Sequence, residues 1–141
     1  MLNKEQIMEI IPHRPPMLLV DTITELTDTG ATGELHLTGE EFFFQGHFPG
    51  NPIMPAVFQL EALAQTGAVA LLSQEANRGK TALYTSIDKA KFRRMVHPGE
   101  ILTLEIELVK QRGPLAVAHG RALVDGELAS EAEIKCFIDQ Q

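Results

Sequence analysis

The segment IMPAVFQLEALAQTGAVALL, Ile53 to Leu72, decides the fold. Twenty mostly apolar residues match the length of a membrane-crossing helix. Pro55, Gln59, Glu61, Gln65 and Thr66 lie within it, however, and a charged carboxylate in mid-helix is costly in lipid. The stretch therefore reads as a core helix running to about Ser73, with Pro55 in its first turn, where the missing N–H costs nothing. A helix apolar on nearly every side has to be covered on nearly every side.

Everything outside this helix supplies a cover. Upstream, Asn3 and Gln6 resemble a capping box ahead of Ile7, Met8, Ile10 and Ile11 at helical spacing. Pro12 stops that short helix. Met17–Val20 and Ile23–Leu26 read as one strand, turning at Asp28-Thr29-Gly30 into a second over Ala31–Leu37. Residues 39–54 are irregular, with Gly39, Gly46, Pro49, Gly50 and Pro52. Downstream, strands are expected at Ala82–Phe92, around Leu102–Leu108, at Leu115–Val124 and at Leu128–Ile138, with Asp125-Gly126 as a hairpin turn. One long helix and about six mostly antiparallel strands define an α+β protein, a curved sheet wrapped around a central helix in the hot-dog arrangement. One sheet covers only part of such a helix, so a dimer is expected.

The chain of 141 residues reads as a single domain over 1–141. Hydrophobic residues at 44% and charged residues at 22% are those of an ordinary soluble globular domain rather than a disordered or fibrous one. A net charge of −7 argues against a general nucleic-acid binder, since the phosphate backbone rewards positive surfaces. Cys136 stands alone and cannot form an intrachain disulfide, and Met1 leads into polar residues rather than an apolar signal core. These features predict a cytoplasmic protein without membrane insertion.

The run Gly46-His47-Phe48-Pro49-Gly50-Asn51-Pro52 followed by Glu61 on the second turn of the helix is chemically unusual. A rigid Pro/Gly loop holds an imidazole at fixed geometry, which proton transfer requires. A carboxyl taken out of water resists ionisation, which suits it to donate a proton. Base and acid together are the equipment for an elimination beside a carbonyl.

These residues, together with Pro12-His13-Arg14-Pro15-Pro16-Met17-Leu18-Leu19-Val20-Asp21, Ile87-Asp88-Lys89-Ala90-Lys91-Phe92-Arg93-Arg94 and Pro98-Gly99-Glu100, make the sequence closely resemble the bacterial beta-hydroxyacyl-acyl carrier protein dehydratases of type II fatty acid synthesis. The resemblance covers essentially the whole chain. It implies a hot-dog fold with active sites at a dimer interface, one subunit giving the His and the other the Glu, and dimers that often assemble as a trimer of dimers. It implies dehydration of (3R)-3-hydroxyacyl-acyl carrier protein to the trans-2-enoyl product. By position, His47 would be the base and Glu61 would assist departure of the hydroxyl. The backbone N–H of Ala56 would polarise the thioester carbonyl at the start of the helix. Gln65, one turn beyond Glu61, would orient it. No metal or redox cofactor is expected; the phosphopantetheine belongs to the substrate.

Three positions depart from the family. Ala56 stands where Gly is usual, and Phe58 and Gln59 stand where aliphatic residues are common; Phe58 is expected to shorten the acyl tunnel. Glu61 rather than Asp favours the dehydratase-only branch over the branch that also isomerises. His13 reads as packing at a turn, and His36, His97 and His119 have no spacing that suggests a metal site.

Six of the twelve bases fall at Arg78, Lys80, Lys89, Lys91, Arg93 and Arg94, opposed within that window only by Asp88. This is either a solvated strand face or, as the resemblance implies, a docking patch for an acidic carrier protein centred on Lys89, Lys91, Arg93 and Arg94. Two other functions fit the same chain. A hot-dog thioesterase would release free acid and thiol, and a non-catalytic scaffold would bind the carrier and turn nothing over.

Overall fold

The computed structural model describes residues 1–139. Helix α1 (Lys4–Ile10) starts at a complete capping box: the Asn3 side chain accepts from the Gln6 N–H, and the Gln6 side chain accepts from the Asn3 N–H. Arg14 folds back to donate to the carbonyls of Met8, Ile11 and His13, closing the helix end ahead of the proline run.

Strands β1 (Thr22–Thr27) and β2 (Gly30–His36) form the first hairpin, and helix α2 (Ala56–Leu72) follows the irregular connection, with Pro55 as its N-cap. Strands β3 (Thr81–Phe92), β4 (Ile101–Arg112), β5 (Leu115–Val124) and β6 (Glu127–Asp139) complete the chain. All six strands form one antiparallel sheet in the order β1-β2-β4-β5-β6-β3. The single α-helix between two blocks of strands explains the order: β3 crosses over to the far edge, and the sheet wraps α2 between its two ends.

From Leu60 to Leu72, α2 is buried on nearly every side, with only Glu61 and Ala64 partly open. It packs mainly on β4 and β2, with further contacts to β5 and β6. Gly67 and Gly120 let helix and sheet approach closely, since an added Cβ at either would meet Ile106 at 3.1 Å and 2.9 Å respectively. Among the described residues, no helix is long and apolar enough to cross a membrane.

The expected strand at Met17–Val20 is not one. Met17 and Leu18 bond back to the Arg14 carbonyl in a turn, among the described residues no strand pairs with the segment, and β1 begins only at Thr22. Leu18, Leu19 and Val20 are nonetheless buried. Their backbone is anchored by a side chain instead of a neighbouring strand: Gln65 on α2 accepts from the Leu19 N–H at 2.7 Å and donates to the Met17 carbonyl at 2.8 Å. A short apolar run reads alike whether the partner is a strand or an amide.

Candidate active site

His47 sits in the loop between a 3₁₀ turn (Phe42–Phe44) and α2. Phe43 and Phe44 are buried, and Phe48 and Asn51 exchange backbone hydrogen bonds at 2.9 Å and 2.8 Å, closing a small ring beside the histidine. The loop is tied onward by the Met54 N–H, which donates to the Val96 carbonyl. Within it, His47 Nδ1 lies 2.9 Å from the Ile53 carbonyl oxygen. A carbonyl only accepts, so Nδ1 carries a proton, and in the neutral ring Nε2 is the nitrogen that keeps its lone pair.

Phe58 packs on the loop that carries His47. Its ring stacks on Phe43 at 5.2 Å and meets Phe42 edge-on at 5.4 Å, which fastens the His47 loop to the first turn of α2. It does not line the pocket beneath Glu61. Ala56 is the first residue of α2, and the Pro55 cap offers no side-chain acceptor, so its N–H points out of the helix start without an intrahelical partner. Gln59 is buried with its amide oxygen unpaired, and nothing in the fold explains it.

Glu61 stands one turn before Gln65 on the same helix face. Gln65 Nε2 donates to Glu61 Oε2 at 2.8 Å, and the Tyr84 hydroxyl on β3 donates to Oε1 at 2.7 Å. Gln65 thereby uses its whole amide, two donors and an acceptor, on Glu61, Met17 and Leu19. His13 Nε2 lies 3.7 Å from Glu61 Oε2. Beneath these groups opens a pocket whose remaining wall is apolar, including Ala64, Ala68 and Leu71 of α2 with Ile106, Ala118 and Ile134 of the sheet.

The structure thus brings Glu61 and Gln65 together and adds His13 and Tyr84, which sequence reasoning missed. His47 is placed with Ile53 and Phe48, and among the described residues no hydrogen bond or ion pair joins it to Glu61. Lys89, Lys91 and Arg93 are exposed at the end of β3. Arg94 is not free: it pairs with Glu100 at 2.8 Å and Glu127 at 3.4 Å.

Burial lowers the pKa of His13 from its ordinary 6.5, against the opposing pull of Glu61. The folded protein therefore binds fewer protons at this group than the unfolded chain does. Stability through His13 is complete above about pH 6.5 and is lost as pH falls from there through the lowered folded value. The lowered carboxyls are Glu41, held down against burial by the backbone N–H groups of Thr38 and Gly39, and Glu100, held down against burial by the His97 N–H and Arg94. Both act only below their ordinary 4.5. Urea midpoints measured at pH 7.5 and 5.5 are expected to fall on acidification, and His13→Gln is expected to shrink that difference. An unchanged difference would place the titration elsewhere.

The profile of the FabA-like domain matches residues 11–133. The 3-hydroxyacyl-[acyl-carrier-protein] dehydratase FabZ of Clostridium novyi (strain NT) is 54% identical over 134 residues, covering 94% of each chain. The FabZ of Oceanobacillus iheyensis is 49% identical over 135 residues, covering 95% of this chain and 96% of its own. Among solved structures, the dehydratase heterocomplex ApeI:P from Xenorhabdus doucetiae superposes with a TM-score of 0.83 at 15% identity, over 96% of this chain and 91% of that one. The Escherichia coli PaaI protein superposes at 0.66 and 16% identity, over 82% and 80%. The structural matches speak for the fold. The sequence matches, spread over nearly the full length, place the chain in the FabA-like domain family.

Proposed function

We propose that this protein removes water from (3R)-3-hydroxyacyl chains carried on acyl carrier protein, giving the trans-2-enoyl thioester, as a step of fatty acid biosynthesis. The observation that carries the reading is the contact of His47 Nδ1 with the Ile53 carbonyl oxygen. With Nδ1–H donating to Ile53, Nε2 of the neutral ring is a base on a rigid loop. It takes the proton from C2, which the adjacent thioester acidifies. The electrons of that C–H bond become the C2–C3 double bond, the C3–O bond breaks, and Glu61 gives the departing hydroxyl a proton, so that water leaves. The Ala56 N–H supports charge on the thioester oxygen, and the apolar pocket beneath Glu61 receives the acyl chain.

His47 and Glu61 meet across two copies of the chain. Strand β3 is an edge of the sheet, and it exposes Leu83, Ile87 and Phe92. An unpaired apolar edge is a template for another strand, and pairing with a second copy along β3 covers these residues. The assembly is a homodimer, with a trimer of dimers as its larger form, working in the cytoplasm. Lys89, Lys91 and Arg93 meet the acidic carrier protein.

The test is incubation with 3-hydroxybutyryl-carrier protein and resolution of the products by mass. The expected product is the enoyl thioester, lighter by one water and still attached to the carrier. Free 3-hydroxy acid would make this a thioesterase instead, and tight carrier binding without chemistry at any chain length would make it a scaffold.

A further inference from the structure

The acid of the proposed elimination is held from two sides. A glutamate side chain has three rotatable bonds, and Gln65 fixes only one of its oxygens, from the same helix face. The other oxygen is met from the opposite wall by Tyr84 of β3, at 2.7 Å. Tyr84 lines the Glu61 pocket while staying 45% exposed on this edge strand; it sits opposite Cys136 of β6, and the β3–β6 register slips between Tyr84 and Ser86, a bulge of the kind that re-aims a side chain. Burial and the neighbouring Glu61 push the phenol's ionisation far up, so it stays an O–H group.

We propose that Tyr84 is a positioning residue for Glu61, fixing the carboxyl plane between helix and sheet; the inference rests on the role assigned to Glu61 above. The chemistry of the two holders differs. The Gln65 amide nitrogen only donates, whereas a hydroxyl donates or accepts. A hydroxyl can therefore keep its bond to Oε1 in either protonation state of the carboxyl. A phenylalanine would fill the same space and lose this second point of attachment.

The chain has one tyrosine and no tryptophan, so the phenol can be followed directly in the intact protein. Phenolate absorbance in an alkaline titration is expected to appear at lower pH in Glu61→Gln than in wild type; coincident titrations would mean that the contact does not exist in solution and would overturn the inference. For turnover of 3-hydroxybutyryl-carrier protein, Tyr84→Phe is expected to lower kcat roughly tenfold with KM within about twofold, the scale of one hydrogen bond to a charged group. Glu61→Asp retains a carboxyl but withdraws it by one methylene, and in that background Tyr84→Phe is expected to change kcat by less than about twofold. An equal tenfold loss in both backgrounds, or a rise in KM alone, would mark a merely structural ring. Wild-type kcat in Tyr84→Phe alongside an inactive Glu61→Gln would overturn the inference alone. Full activity in Glu61→Gln would instead remove Glu61 from the chemistry, and this inference with it.

Discussion

Replacing Glu61 by alanine is expected to cut turnover of a 3-hydroxyacyl-carrier protein by about 10²-fold or more, and replacing His47 by alanine to do the same, since each removes one proton-transfer partner. Both proteins should fold. Glu61 is partly open to the pocket, and His47 lies in a loop whose backbone is closed by its own hydrogen bonds. The sharper expectation concerns the mixture. If the base and the acid of one site come from different copies, an equal mixture of the two variants, unfolded and refolded together, forms about half mixed dimers, each with one intact site. About a quarter of wild-type turnover should return. If both residues of a site belonged to the same chain, every site in the mixture would lack one of them, and nothing would return.

The largest loss of stability is expected from Gln65→Leu. Leucine fills a similar volume, so packing along α2 is largely kept, but the buried Leu19 N–H and the Met17 carbonyl lose the amide that satisfies them. Leaving such groups unpaired costs roughly 2–4 kcal/mol in total, a large share of the ~5–15 kcal/mol by which domains are stable. The melting temperature should drop by about 5–15 °C. Turnover should fall as well, because Glu61 loses the donor on Oε2. A wild-type urea midpoint would mean that the segment from Met17 to Val20 finds its own partners.

What could be read in advance follows from which interactions are local in sequence. The capping box of Asn3 and Gln6, the helix after Pro55 and the Asp125-Gly126 hairpin are decided by residues within a few positions of one another, and each falls where the sequence places it. The wrapping of the sheet followed from how little polar surface Leu60–Leu72 has. What escaped depends on distant pairs. Nothing near Leu19 announces that its amide is met by a glutamine 46 residues away. Nothing near Tyr84 announces a carboxyl 23 residues before it. His13 reads as a turn residue because its flanking prolines dominate the local signal, yet the turn delivers it to the rim of the Glu61 pocket. Phe58 stands out as a departure from the family, but its packing on Phe42 and Phe43 depends on the folded loop that brings them alongside.

Arg94 has a consequence for how the protein responds to ionic strength. Its guanidinium is already matched by Glu100 and Glu127, so to a charged body approaching from beyond a Debye length of about 8 Å that corner of the surface carries little field. The cluster of bases in the sequence overstates the positive field of this patch. In the proposed docking, Lys89, Lys91 and Arg93 are expected to set the slope with which added salt slows encounter, with little share from Arg94.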